Sequence, residues 1–160
     1  MNKLKSIYFA GGCFWGVEEY FSRINGVHDV SSGYANGSTS NPSYEDVCKK
    51  NTGHAETVHV LYDPEVISLK TLTEKLFGII DPLSVNRQGG DFGTQYRTGV
   101  YYTDAEDMEV IKAVFDAEQL KHEQKIAVEF LPLEHYYLAE EYHQDYLKKN
   151  PNGYCHIDLS

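Results

Sequence analysis

The sequence predicts an α/β sandwich in which helices pack on a mostly antiparallel or mixed sheet. Two observations carry this expectation. Short alternating or β-branched runs take turns with amphipathic runs of helical period, in the order strand, helix, strand, helix, strand, helix, strand, with a helical segment last. The 160 residues, 41% apolar and 24% charged, suit one domain spanning 1–160 whose core needs no disulfide or metal staple.

Lys5 to Phe9 reads as a short strand, ending in Ala10-Gly11-Gly12. A helix follows from Cys13 to about Ile24, with Phe14, Val17, Phe21 and Ile24 at helical spacing, and Asn25-Gly26 stops it. Val27 to about Ser32 reads as extended, and Gly33 to Ser43 as a loop. Tyr44 to Lys50 allows one or two helical turns, and Glu56 to Tyr62 alternates like a strand. Ser68 is an N-cap for a helix with Leu69, Leu72, Leu76, Phe77 and Ile80 on one face, ended by Pro82. Leu83 to Arg97 is a long polar loop of the kind that carries function. Thr98 to Tyr102 is a strand. Asp104 and Asp107 resemble a capping box opening a helix through Met108, Ile111, Val114 and Phe115 into Lys121. Ile126 to Phe130 reads as a strand and Tyr136 to Lys149 as a helix, stopped by Asn150-Pro151-Asn152-Gly153.

The formal net charge of −10 argues against a nucleic-acid partner and against an anionic membrane surface. The apolar run Ile7 to Ala10 is shorter than the about seven residues a signal peptide needs, and no window nears the ~18 of a membrane span. A cytoplasmic protein is expected. Three cysteines make no disulfide framework, so buried thiol, catalytic thiol and metal ligand stay open.

Gly11-Gly12-Cys13-Phe14-Trp15-Gly16 is the most informative stretch. A cysteine at a helix start lies by unpaired N–H groups that favour the thiolate, the nucleophilic form. Phe14 and Trp15, the only tryptophan, offer an apolar pocket for a small group. The same residues also suit a buried thiol flanked by core aromatics.

The hexapeptide strongly resembles the signature of the peptide methionine sulfoxide reductase A family. The likeness continues, in order, through Pro42 to Cys48, Gly53 to Glu56, Asn86 to Gln88, Asp91 to Arg97, Tyr142 to Leu147 and Gly153 to Cys155. The resemblance implies a two-layer sandwich with a ferredoxin-like core and a coil-rich C-terminal tail. It implies reduction of the S epimer of methionine sulfoxide, free or within oxidised proteins. Cys13 then takes the nucleophile's position and Glu56 the acid's. Phe14 and Trp15 take the pocket positions, Tyr44 and Tyr96 the hydrogen-bonding ones, Asp91 the assisting carboxylate's and Cys155 the resolving thiol's. Cys48 falls on a position the family does not use. No bound cofactor or metal is implied; thioredoxin is the external reductant, and a monomer is expected.

The residue types suit that chemistry. A protonated carboxyl can assist departure of a sulfoxide oxygen if burial raises its pKa. Tyrosine hydroxyls can donate to the same oxygen. Attack leaves a sulfenic acid, which a second thiol condenses to a disulfide for an external dithiol to reduce. A tail rich in turn residues can carry that second thiol to Cys13. The rivals are a cysteine hydrolase with His54, His59 or His143 as base, a metal module and a noncatalytic binding protein. No CxxC or HExxH spacing supports the metal reading.

Overall fold

The computed structural model describes residues 3–49, 52–155, 157 and 159. The chain runs β1 (Lys5–Gly11), α1 (Phe14–Ser22), β2 (Val27–Ala35), α2 (Tyr44–Lys49), β3 (Ala55–Tyr62) and α3 (Leu69–Phe77). A two-residue hairpin follows, β4 (Arg87–Gln88) and β5 (Asp91–Phe92), then a 3-10 turn at Thr94–Tyr96. It continues with β6 (Thr98–Tyr102), α4 (Asp107–Gln119), β7 (Glu129–Pro132), β8 (Tyr136–Leu138), a 3-10 turn at Glu141–His143 and α5 (Tyr146–Lys149). Lys50 lies outside the described residues.

Six strands form one sheet in the order β7-β6-β1-β3-β2-β8. Its neighbours are antiparallel except β6 and β7, which run parallel. The mixed, mostly antiparallel sheet is therefore as expected. Alternation along the strands sorts the side chains into two faces. Ile7, Phe9, Val58, Val60 and Val100 meet Phe14, Val17 and Phe21 of α1, Leu72 and Leu76 of α3, and Ile111 of α4 in the main core. Ala10, Ala35, Ala55 and Tyr101 form a second cluster on the opposite face, joined by Tyr8, Leu133 and Tyr136. Small residues there let coil lie close to the sheet.

Several boundaries differ from the sequence reading, each for a tertiary reason. Gly33 to Ala35 belong to β2 and not to a loop, because Tyr136 to Leu138 pair with them as β8. A Cβ on Gly33 would stand 2.4 Å from the Tyr136 ring, so the glycine marks a crossing aromatic and not a turn. The helix expected from Tyr136 to Lys149 is thus a strand, a 3-10 turn and one short helix. Ser32, just beyond the pairing, exchanges both backbone groups with the Gln144 side chain: its N–H donates to Oε1 at 2.9 Å, and Nε2 donates to its carbonyl at 2.9 Å.

The strand expected at Ile126 to Phe130 is shifted to Glu129–Pro132, where it pairs with β6. The capping box does not form: Asp104 accepts from the N–H of Glu106, while Asp107 takes Lys5 Nζ at 2.6 Å. Ser68, by contrast, caps α3 as expected, accepting from the Thr71 N–H. The loop expected at Leu83 to Arg97 contains the small hairpin, which presents Asp91. Among the described residues, no helix is long and apolar enough to cross a membrane.

Candidate active site

β1 ends at Gly11, and Gly12 turns the chain with φ 92°, a value that suits glycine. Cys13 is the N-cap of α1, not its first helical residue, and makes no side-chain cap bond. The cap comes from across the sheet: the Phe14 N–H donates to Glu56 Oε1 of β3 at 3.2 Å. Glu56 is 1% exposed, and its other carboxyl oxygen has no hydrogen-bond partner. Burial raises its pKa to about 8; the Phe14 N–H opposes the shift and the charge of Asp91 adds to it. At neutral pH Glu56 is therefore an acid with a proton to give.

Cys13 keeps 7% of its surface exposed beside that acid. The sequence reading expects the helix start to favour the thiolate. The structure corrects this: burial, then the Glu56 carboxylate, push the thiol up, outweighing the lowering effect of the Trp15 N–H. The Glu56 contribution vanishes when that carboxyl is protonated, so the acid and the thiol are electrically linked.

Tyr44 opens α2 and Tyr96 closes the 3-10 turn after the hairpin. Burial, then the Glu56 charge, raise both hydroxyls, which stay protonated donors. Asp91 of β5 holds one buried oxygen without a partner. The sequence-predicted acid, tyrosines and carboxylate are thus brought around Cys13. Phe14 is 1% exposed, its ring 5.7 Å from Tyr34 and 6.4 Å from Tyr44. Trp15 is half-buried and stacks on Tyr146 at 3.8 Å.

Two supports complete the site: His143, which the sequence reading offers only as the base of a rival hydrolase, and Glu140, which it does not single out. His143, fully buried, accepts from Trp15 Nε1 through Nδ1 at 2.9 Å, which leaves its ring proton on Nε2. Burial lowers its pKa, keeping the ring neutral as this bond requires. Glu140 accepts from the Tyr34 hydroxyl at 2.8 Å and from the Tyr44 N–H at 2.9 Å, tying α2 to the C-terminal segment. Burial pushes the Glu140 carboxyl up, but these bonds hold it low overall. The segment Tyr142 to Leu147 is visible in the sequence as a family likeness but carries no chemical signal of its own. The other candidate bases are engaged elsewhere: His54 with Gly37 and Thr39, His59 with Ser6.

Cys155 is not on a free tail. Its thiol donates to the Ile157 carbonyl at 3.3 Å and lies against α1. Cys13, Cys48 and Cys155 are all unpaired thiols.

A buried acid, two tyrosine donors and an aromatic wall around a thiol at a helix start define a thiol oxidoreductase. The family model described as peptide methionine sulfoxide reductase matches residues 5–160. The chain is 60% identical over 156 residues to peptide methionine sulfoxide reductase MsrA of Clostridium perfringens, covering 98% of this chain and 99% of that one. It resembles reduced Mxr1 of Saccharomyces cerevisiae with a TM-score of 0.92 and 42% identity, covering 98% and 92% of the two chains. Mxr1 in complex with Trx2 matches with a TM-score of 0.65 and 32% identity, over 90% and 85%. The chain belongs to the peptide methionine sulfoxide reductase family.

Proposed function

We propose that the protein reduces the S epimer of methionine sulfoxide, in oxidised proteins or free, with Cys13 as nucleophile and Glu56 as acid. The observation that carries this reading is the Glu56 carboxyl. It is bonded to the N–H next to Cys13, buried, raised to about 8 and free at its second oxygen. The substrate methyl group rests against Phe14 and Trp15. The Cys13 sulfur attacks the substrate sulfur, and Glu56 protonates the sulfoxide oxygen while Tyr44 and Tyr96 donate to it. Asp91 assists by raising the Glu56 pKa. The oxygen ends on Cys13 as a sulfenic acid and the substrate leaves as sulfide, so one thiol and one sulfoxide become one sulfenic acid and one thioether.

Cys155 then displaces the oxygen as water and forms a disulfide with Cys13. Thioredoxin reduces that disulfide by dithiol exchange. The complex of yeast Mxr1 with Trx2 supports the choice of reductant. No resident metal or cofactor is needed. A cytoplasmic setting fits a cycle that returns to free thiols.

The test uses the purified protein, dithiothreitol and racemic methyl p-tolyl sulfoxide. Sulfide is expected from one enantiomer only, and none from Cys13→Ser. Equal consumption of both enantiomers, or activity without Cys13, would overturn the reading.

A further inference from the structure

α1 carries a glycine, Gly16, as its third residue, although glycine is among the poorest helix formers. Backbone conformation does not demand it, because Gly16 is absent from the positive-φ glycines. Space does. A Cβ built on Gly16 would stand 2.7 Å from Cys155 Sγ and 3.3 Å from Ile157 Cδ1. In a helix the Cα–Cβ bond leans toward the N-terminus, so this spot faces the turn that begins at Cys13. Cys13 is the N-cap and Gly16 the third helical residue, the position whose backbone an N-cap side chain faces. The two thiols sense each other, since charge on Cys155 raises the Cys13 thiol.

The tail is docked along α1 at further points. Ile157 is buried in the main core, and Arg23 Nη1, just past α1, donates to the Leu159 carbonyl at 3.0 Å. The Cys155 thiol is parked meanwhile on the Ile157 carbonyl.

We propose that Gly16 is a positioning residue for disulfide formation, its missing side chain leaving the slot in which the Cys155 thiol waits beside the first turn of α1. The proposal rests on reading Cys155 as the resolving thiol. In the step served, Cys155 Sγ attacks Cys13 Sγ, the S–O bond of the sulfenic acid breaks, and an S–S bond forms. The departing hydroxyl leaves as water with the thiol's proton. Such a bond closes at ~2.05 Å with a restricted dihedral, so an obstructing methyl group matters.

The experiment is a single turnover of the full chain with methionine sulfoxide, quenched at intervals, with methionine and disulfide measured separately. Gly16→Ala is expected to form methionine at the wild-type rate. Its disulfide forms about tenfold or more slowly, and dimedone traps a Cys13 sulfenic acid that accumulates. Ile157→Ala, which loosens the same dock without touching α1, is expected to slow the disulfide too. It decides the matter if Gly16→Ala fails to fold. Cys155→Ser separates the two readings. If it still forms an intramolecular disulfide, the resolving role itself fails. If it forms none while Gly16→Ala and Ile157→Ala match wild type, the resolving role stands and the slot proposal is overturned.

Discussion

Two buried glutamates meet α1, Glu56 from β3 at its start and Glu18 from within the helix itself. Glu56 and Glu18 are 1% and 2% exposed; the second oxygen of Glu56 has no partner, while the Ser32 hydroxyl faces Glu18 and lowers its pKa. Each accepts a single backbone N–H: Glu56 from Phe14 at 3.2 Å, Glu18 from Asp145 at 2.8 Å. Burial raises both, Glu56 to about 8 and Glu18 to about 7. Their neighbours differ. The charge on Glu56 is felt by Cys13, Tyr44 and Tyr96. Glu18 faces Asp145, Ser32 and Lys148, and pins the start of α5 to α1. On the proposed reading, what separates the two raised carboxyls is the set of groups within reach of the proton.

The largest contrast is expected in the sulfide-forming step. Glu56→Gln should slow it by about 10²–10⁴-fold in a single turnover, the usual worth of a general acid, while Glu18→Gln stays near wild type. The wild-type rate should fall as pH rises through about 8, where Glu56 loses its proton, and Glu56→Gln should lack that limb. A comparable loss in Glu18→Gln would erase the distinction.

A smaller effect concerns stability. Both carboxyls rise on folding from near 4.5. The stability tied to their protonation is thus fully present below that pH and lost as pH climbs through about 7 for Glu18 and about 8 for Glu56. Urea unfolding should show each Glu→Gln variant gaining on wild type at pH 9 relative to pH 5, by a few kcal/mol at Glu56. Parallel pH profiles of variant and wild type would show that the buried carboxyls are not strained.

The smallest effect is local. Asp145→Asn keeps a residue that tolerates the left-handed φ of 53° but removes the charge next to Glu18. Carboxyl NMR titration should find the Glu18 pKa lowered and Glu56 unmoved. An unchanged Glu18 would leave burial as the sole cause.

Where structure is local, the sequence is legible. The alternation of β1, β3 and β6 and the Ser68 cap of α3 depend on near neighbours. Cys13 and Glu56 are legible through motifs. The Tyr136 to Lys149 segment is not, because its partners, Gly33 to Ala35, lie about a hundred residues away and override its helical period. The same distance hides His143 and Glu140, whose roles exist only once that segment crosses to α1 and α2. Glu18 looks like any helix-surface carboxylate until α5 covers it. The neutral thiol at Cys13 has the same origin, since burial and an acid 43 residues along the chain oppose the helix start.

The Gln144 amide bonded to Ser32 has a consequence for solubility. Exposed strand rims template the addition of foreign chains, which is how sheet proteins seed aggregates. Where β8 leaves off, a side-chain amide occupies both hydrogen-bonding groups of the next residue on the rim. Ser32 therefore offers neither backbone group for another polypeptide to pair with. The seal suits an enzyme of a family named for acting on methionine sulfoxide in peptides.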